Sequence, residues 1–304
     1  MATSSASNAA GHASASGSMR SILLMVFAMG VFVLNDTLTK SVSSDLPTGQ
    51  IIFIRNLIAT VLLTPFVLHR HGVSTILQSY SRPLLIRNVS EMIAVILFLS
   101  ALFRLPIANV TAVFQLVPLA MTAAAALFLK ETVGWRRWSA AVVGLFGVLL
   151  IIRPGTADFS WWYVAVLISV VVVTARDIAT RFIAPATPTL VVVFLTAAVV
   201  TIAGLLLLPI ETWLMPELWH VAMLGAAALL VCTGYYALIE AWRTGEVSAT
   251  APFRYSVVLW AIVFGFLFLG EVPSAMTLVG AGIVMAAGIY TFVRERQTKA
   301  RATR

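Results

Sequence analysis

The sequence predicts an all-α membrane protein of ten transmembrane helices, arranged as two inverted five-helix repeats with both termini in the cytoplasm. Composition, ten apolar runs and a polar pattern that occurs twice support this prediction. Of 304 residues, 60% are hydrophobic and 11% are charged, and the mean hydropathy is +0.98. Soluble domains carry about 25% charged residues. The composition therefore excludes a soluble domain.

A bilayer is crossed by about 20 predominantly apolar residues, and the sequence contains ten runs of roughly that length. The first half holds runs 21–42, 48–69, 82–103, 107–129 and 138–152, and the second half holds 161–178, 189–210, 219–239, 249–269 and 275–293. The connections are short, so consecutive helices are expected to be antiparallel neighbours. Any activity must therefore lie among the helices.

Four segments are predicted from these runs. Residues 21–153 form a first repeat and residues 161–293 a second. The low-complexity Ser/Ala/Gly segment 1–20 is predicted to be a disordered cytoplasmic tail. Residues 294–304 form a basic cytoplasmic tail, which accounts for five of the twenty basic residues. The net charge of +8 therefore does not predict a nucleic-acid partner.

The basic residues also predict the orientation, because cytoplasmic loops carry an excess of Lys and Arg. With the N-terminus inside, thirteen basic residues fall in inner segments, and the outer loops hold only Lys40, Arg104 and Arg153. Four others lie within the spans. This asymmetry predicts that both termini face the cytoplasm.

A polar pattern in the first helix recurs far downstream. Asp36, Thr39, Lys40, Pro47 and Thr48 recur at one constant offset as Asp177, Thr180, Arg181, Pro188 and Thr189, and Glu131 recurs at almost the same offset as Glu271. Five helices is an odd number, so the second repeat enters the membrane from the opposite side. Inverted repeats of this kind are typical of secondary transporters, whose substrate site lies near the midplane between the repeats.

The ends of the two repeats resemble a known family. The first repeat ends LKETVGWRRWSAAVVGLFGVLLIIRPG (129–155), and the second ends FLGEVPSAMTLVGAGIVMAAGIYTFVRE (268–295). Both are similar to the EamA-type ten-helix members of the drug/metabolite transporter superfamily. LNDTLTK in helix 1, FIRN (53–56) and GVLLIIRPG together resemble the subgroup of bacterial riboflavin and S-adenosylmethionine uptake proteins. The resemblance implies a multi-pass protein of the bacterial inner membrane.

Two acid–base pairs are the candidate gates. Asp36 and Lys40 lie one turn apart on one helix face, as do Asp177 and Arg181. The gate hypothesis makes the first pair the outer gate and the second the inner gate, each engaging the opposite repeat when its side is closed. The alternative is that each acid neutralises its own cation near the membrane interface.

The candidate substrate residues lie deeper in the spans. Arg55 and Arg254 have no acid within one helical turn, and an unpaired intramembrane cation is a functional-site hypothesis. The structural alternative is pairing between helices, with Asp36, Asp177 or Glu240. Glu91, one turn after Arg87, is the carboxylate nearest the membrane centre and the candidate for proton coupling; a structural Arg87–Glu91 pair is the alternative. Gln115 and Tyr255 complete the predicted substrate site.

The sequence predicts a transporter, not an enzyme. It contains no phosphate loop of the GxxxxGK[ST] type, no metal-ligand spacing among its histidines and no paired catalytic carboxylates, so no catalytic residue, cofactor or metal is expected. The expected partners are a small-molecule substrate and the lipid bilayer. Uptake of riboflavin or S-adenosylmethionine is favoured, export of amino acids or drugs is the alternative, and a channel is the alternative from another class. Glycines of the fifth helices suggest a packing seam or a homodimer face.

Overall fold

The computed structural model describes residues 2–128, 134–157, 159–244 and 250–302, and no strand occurs within these ranges. The helices are α1 (Ala2–Ser41), α2 (Thr48–Gln78), α3 (Arg82–Leu102), α4 (Ile107–Phe114), α5 (Val117–Phe128), α6 (Trp135–Ile152), α7 (Trp162–Arg181), α8 (Thr189–Leu206), α9 (Leu218–Thr244), a short 3₁₀ helix (Ala251–Tyr255), α10 (Ser256–Leu269) and α11 (Ala275–Ala302).

Ten apolar segments in the described residues match the ten predicted spans. Nine are long and apolar enough to cross a membrane, and Trp138–Ile152 is a shorter apolar helix. The fourth span, Ile107–Ala124, comprises α4 and most of α5, and the ninth, Pro252–Leu269, comprises the 3₁₀ helix and α10. The predicted all-α ten-helix fold is confirmed.

The first helix is longer than predicted. Residues 1–20 are predicted to be disordered, but α1 begins at Ala2 and continues to Ser41. Two physical reasons favour the helix. The segment before Met19 contains six alanines, and alanine has the highest helix propensity. The membrane span also supplies an existing helix, so extending it avoids the cost of a new nucleus. Likewise, α11 runs on to Ala302 through the basic tail.

The helices of the two repeats pack against each other in equivalent pairs. The helix α1 packs along α9 and α3 packs along α7, so that the first helix of each repeat lies against the third helix of the other. The second helices, α2 and α8, pack on each other, and so do the fifth helices, α6 and α11. Between α2 and α8, the hydroxyls of Thr60 and Thr201 lie 3.3 Å apart. These two threonines are equivalent positions of the two repeats, as expected beside a two-fold axis.

The two repeats run in opposite directions through the membrane. Lys40, at the end of α1, contacts Glu271 and the carbonyl of Leu105. Beside Leu105, Asn109 at the start of α4 donates to the hydroxyl of Tyr163 at the start of α7, with an N–O distance of 2.6 Å. The first helix of one repeat therefore ends where the first helix of the other begins. We call this end of the protein the Lys40 end.

The fourth helix of each repeat departs from regular α-helix at an equivalent place. Pro118 cannot donate a hydrogen bond to the carbonyl of Phe114, and the helix is interrupted at residues 115–116. The second repeat has its proline earlier, at Pro252, which predicts a break at a different depth. In the structure the 3₁₀ helix instead changes to α-helix between Tyr255 and Ser256, the equivalents of residues 115 and 116. The earlier proline thus makes the segment before Ser256 a 3₁₀ helix, but the irregularity occurs at the equivalent place in both repeats.

Glycines bring the fifth helices into close contact within one chain. A Cβ atom on Gly147 would lie 2.9 Å from the carbonyl oxygen of Gly280, and one on Gly280 would lie 2.5 Å from the carbonyl oxygen of Gly147. Gly144 is covered by Leu119. The predicted seam is therefore an intramolecular contact between α6 and α11, and homodimerisation stays a prediction.

This contact predicts different effects for two neighbouring glycines. Gly280→Ala should lower the free energy of unfolding by about 1–3 kcal/mol, because overpacking forces the two backbones apart. A Cβ atom on Gly282 would have nothing within 4 Å, so Gly282→Ala is the matched control and should be neutral or slightly stabilising, since alanine favours helix. Thermal unfolding in detergent micelles measures both, and equal effects would contradict the packing.

Candidate functional site

The Lys40 end is joined across the repeats by one carboxylate. Glu271 Oε1 lies 2.5 Å from Lys40 Nζ, and Glu271 Oε2 accepts from the backbone N–H of Ile107 at 2.6 Å. Lys40 also donates to the carbonyl of Leu105. Glu271 thus neutralises a lysine of the first repeat and caps the N-terminus of α4, where a negative charge is favourable.

The local sequence positions Glu271 for its contacts with Lys40 and Ile107. Gly270 ends α10 in the left-handed conformation, with φ at 66°, which glycine adopts without a steric penalty. The N–H of Glu271 then bonds to the carbonyl of Gly265 at 2.9 Å. This turn fixes the backbone that carries the carboxylate.

Further hydrogen bonds join the two repeats at the Lys40 end. Gly49 N–H donates to Glu211 Oε2 at 2.6 Å, and the side chain of Gln50 exchanges two hydrogen bonds with the backbone of Leu214. Asp45 Oδ2 lies 3.2 Å from His220 Nε2. The Lys40 end is therefore closed by contacts that involve several helices.

Lys40 pairs with Glu271 of the other repeat, as the gate hypothesis expects on a closed side. The alternative, in which Asp36 neutralises Lys40, is not what the structure shows. Asp36 instead accepts a hydrogen bond from the side-chain amide of Asn35 at 2.9 Å, and its electrostatic partner is Arg55 of α2. The physical reason is that Glu271 and the Leu105 carbonyl offer Lys40 two acceptors. A partner on α1 would leave the carboxylate of Glu271 without a cation in a low-dielectric site.

The predicted pairing of Asp177 with Arg181 stays a prediction, and the structure shows another cation at Asp177. Asp177 Oδ1 lies 2.8 Å from the guanidinium of Arg176, the adjacent residue. Arg176 also reaches Glu91 on α3, with an N–O distance of 2.6 Å. Arg176 can serve both acids because its planar guanidinium carries five donors. Arg181 is exposed at the end of α7 opposite the Lys40 end.

The alternative of a structural Arg87–Glu91 pair within α3 does not hold either. Arg87 donates to Asn88 Oδ1 at 3.1 Å and to the hydroxyl of Thr196 on α8. Thr196 in turn donates to Asn88 Oδ1 at 3.1 Å. Glu91, which is 9% exposed, takes its cation from α7 instead. Helix spacing predicted Arg87 as the partner of Glu91, but the cation that contacts Glu91 lies on another helix.

Tyr235 lies at the centre of the intramembrane charges. Its ring packs edge-on against Phe32, with centroids 5.2 Å apart, and Phe32 is near the middle of the span Met19–Ser41. Five charged side chains interact electrostatically with Tyr235, and they are Glu91, Arg176, Arg87, Arg55 and Arg254. Tyr235 is nevertheless 39% exposed. Tyr235 therefore marks the place at mid-membrane where charged residues of both repeats come together.

Three of the five predicted substrate residues, Arg55, Glu91 and Arg254, meet around Tyr235. Arg55 interacts electrostatically with Asp36, Tyr235 and Glu91. Arg254, an exposed residue, interacts with Asp177 and Arg176. These residues come from both repeats, so the candidate site lies between them.

The other two predicted residues are not part of this group. Tyr255 is only 5% exposed and packs on α11, where a Cβ atom on Gly288 would overlap its hydroxyl oxygen. Gln115 lies at the break between α4 and α5, and its side chain makes no hydrogen bond to the residues that the structure describes. Their positions in the sequence predict that both residues lie near the membrane centre. Packing decides which side of the helix faces the charged group.

The predicted site did not include Tyr235 or Glu271. A tyrosine in an apolar span resembles a packing residue, and nothing in the sequence separates Tyr235 from the more exposed Tyr236. Glu271 was recognisable only through its recurrence with Glu131, which lies outside the described residues. Within the described residues, no group of three His, Cys, Asp or Glu side chains could hold a metal ion.

Fold and site together define a class of protein. Ten apolar helices in two inverted repeats, with charges between them at mid-membrane, are typical of membrane transporters. A family model described as the EamA-like transporter family matches residues 19–153 and again 160–293. The chain belongs to the EamA-like transporter family and is a multi-pass membrane protein.

Several named transporters are similar to this chain. An "S-adenosylmethionine uptake transporter" of Rickettsia felis is 25% identical over 272 residues, 88% of this chain and 90% of that protein. A "Pseudopaline exporter CntI" of Pseudomonas aeruginosa is 26% identical over 88% of this chain and 94% of its own length. A "Riboflavin transporter" of Vibrio cholerae is 25% identical over 85% of this chain and 87% of that protein.

A solved crystal structure has the same fold. It superposes with a TM-score of 0.64 over 91% of this chain and 98% of its own chain, at 18% identity. The predicted resemblance to EamA-type transporters is confirmed by the family match and by these relatives.

The Glu91–Arg176 contact predicts an energetic coupling. Glu91→Gln removes the negative charge that Arg176 faces, and Arg176→Gln removes the cation. Each should destabilise the protein by about 2 kcal/mol, the range for hydrogen bonds to charged groups. The double variant should cost less than the sum of the two, because it leaves neither charge buried alone. Glu217→Gln, at an exposed carboxylate, is the control, and additive effects would contradict the contact.

Proposed function

We propose that this protein is a secondary transporter that moves a small polar organic metabolite across the bacterial inner membrane by alternating access of its two repeats. The observation that carries the proposal is the charged cluster around Tyr235. It lies near the middle of a membrane span, it is built by helices of both repeats, and part of it is exposed. Charges in hydrocarbon are expensive and usually functional.

A carrier fits these features better than a channel. A channel keeps a continuous path, whereas the Lys40 end is closed by hydrogen bonds from several helices. Alternating access requires that one end closes while the other opens around a fixed site. Contacts that join the two repeats at one end are what such a closure needs. The proposed small-molecule substrate would therefore reach the site from the opposite end.

The substrate best supported is a vitamin-like or nucleoside-like compound taken up by the cell, such as S-adenosylmethionine or riboflavin. Two of the named relatives are an S-adenosylmethionine uptake transporter and a riboflavin transporter. Export remains the second candidate, because another relative is named an exporter and is as similar to this chain. The same inverted repeats can serve either direction.

For the gates, we propose that Lys40 and Glu271 form the outer gate. The loops at the Lys40 end hold few basic residues, which supports a periplasmic location for it and a cytoplasmic location for both termini. Asp36, the other residue predicted for the outer gate, interacts with Arg55, and we propose it for the substrate site. Asp177 and Arg181 remain proposed for the inner side, where Asp177 holds Arg176.

The outer gate is tested by exchanging its charges. Lys40→Glu and Glu271→Lys should each reduce uptake about tenfold or more, because each places two like charges together where the repeats close. The double variant Lys40→Glu/Glu271→Lys should recover a substantial part of the uptake. Recovery is expected to be incomplete, since a lysine cannot accept the N–H of Ile107. Uptake in vesicles measures this effect, and a double variant no better than the singles would count against the gate.

Transport itself is tested with purified protein in phospholipid vesicles. Radiolabelled S-adenosylmethionine, riboflavin and amino acids are offered with and without a pH gradient. Saturable uptake that is accelerated by unlabelled substrate on the opposite side supports a carrier. Linear flux without counter-transport would indicate a channel.

The same vesicles test proton coupling through Glu91. If Glu91 carries the proton, a pH gradient should accelerate wild-type uptake, and Glu91→Gln should abolish that acceleration while counter-exchange of substrate persists. Glu217→Gln serves as the control. A flat pH dependence in wild type with an active Glu91→Gln variant would remove the proton role.

A further inference from the structure

Asp36 and Arg55 face each other without touching. Each is the principal electrostatic neighbour of the other, and yet among the described residues they form no ion pair within 4.0 Å. Opposite charges in a low-dielectric environment gain energy by closing to contact. The helices α1 and α2 each pack on α9 rather than along each other, so Asp36 and Arg55 do not neutralise each other by direct contact.

Two buried polar atoms at the same place also have no partner in the described part of the chain. They are Oδ1 of Asn35, a hydrogen-bond acceptor, and Nε of Arg55, a donor. Asn35 is 4% exposed and Arg55 is 8% exposed. A buried unsatisfied donor or acceptor costs about 1–3 kcal/mol, so such atoms are rare unless something binds them.

The second repeat supplies an internal comparison. When the two repeats are aligned on their aspartates, Asn35, Asp36 and Arg55 correspond to Arg176, Asp177 and Thr196. In the second repeat these positions are satisfied within the protein, since Arg176 binds both Asp177 and Glu91 and Thr196 bonds to Arg87 and Asn88.

One repeat thus uses these positions to hold its helices together, whereas the other leaves them available. The local geometry is otherwise alike, because Asn35 and Arg176 each donate to the neighbouring aspartate at 2.9 Å.

We propose that Asn35, Asp36 and Arg55 bind the zwitterionic head group of an α-amino acid, so that the transported metabolite carries such a head. The ammonium has three donors, which suit the carboxylate of Asp36 and the free Oδ1 of Asn35. The carboxylate of the head suits the guanidinium of Arg55, which forms strong charge-assisted bonds with carboxylates. The ammonium and the carboxylate of the head are attached to one carbon, so a single ligand can face Asp36 and Arg55 at once.

The neighbouring aromatic residues accommodate the rest of the substrate. Tyr235 interacts with Arg55 and presents an exposed ring beside Phe32. An aromatic face suits a flat or apolar group attached to the head. This inference rests on the proposed transport function and narrows its substrate. S-adenosylmethionine has an amino-acid head, whereas riboflavin does not.

The test compares ligands that differ only in the head. Binding of S-adenosylmethionine, its decarboxylated form and its deaminated form to the purified full chain is measured by titration calorimetry, alongside the standard L-amino acids and riboflavin. Wild type should bind the complete head about tenfold or more tightly than either truncated form, the effect of losing one charge-assisted hydrogen bond. This comparison needs no variant and therefore does not depend on one folding.

Variants then assign each charge to its residue. Arg55→Gln should remove the preference for the carboxylate, so that the complete and decarboxylated forms bind equally. Asp36→Asn should remove the preference for the ammonium in the same way. Arg104→Gln and Glu217→Gln, which remove a cation and an anion at the surface of the Lys40 end, should keep both preferences. Thermal unfolding reports whether each variant is folded.

The outcomes separate this inference from the proposed function. Equal binding of complete and truncated heads by wild type, or preferences that survive both Arg55→Gln and Asp36→Asn, would overturn the head-group site. Uptake of riboflavin that is insensitive to both variants would uphold transport and overturn the site. Head-selective binding without any flux would uphold the site and overturn the transport function.

Discussion

A charge inside the membrane must find a partner, and in this protein two of these pairs join the two repeats. Glu271 takes the lysine of the first repeat and the N-terminus of α4 at once, and Glu91 takes the arginine of α7. Each contact crosses from one repeat to the other. The two halves are therefore joined by the groups that would be most costly to separate in a medium of low dielectric constant. The two repeats can therefore move relative to each other only if these charged side chains change partners.

The inverted repeats are symmetric in backbone and asymmetric in chemistry. The helix pairings of one repeat are repeated in the other, and Thr60 meets Thr201 beside the axis. The residue before the aspartate differs, however: it is Asn35 in the first repeat and Arg176 in the second. Arg176 binds the carboxylate of Glu91, whereas Oδ1 of Asn35 accepts no hydrogen bond from the described residues. Duplication thus supplies two copies of a frame, and substitution within one copy frees polar groups for a ligand.

Much of the fold could be predicted from the sequence. Ten runs of apolar residues, their short connections and the recurrence of one polar pattern led to the observed spans, because hydrophobic length is a local property. The helix break shows where local reasoning becomes insufficient. Pro118 explains the interruption at Gln115, but the equivalent transition at Tyr255 occurs without a proline at the matching position. There, the packing of the second repeat on the first decides the depth.

The candidate site was predicted in part. Arg55, Glu91 and Arg254 were recognisable because an ionisable residue in an apolar run is conspicuous in any sequence. Their partners were not, since spacing along a helix favours Arg87 for Glu91 and Asp36 for Lys40, and the structure gives both acids to other groups. The sequence by itself determined the membrane class, the ten spans, the duplication and the intramembrane charges. Only the tertiary structure decided which charges pair, because in a low-dielectric interior a side chain binds the acceptor that packing brings nearest, regardless of its distance along the chain.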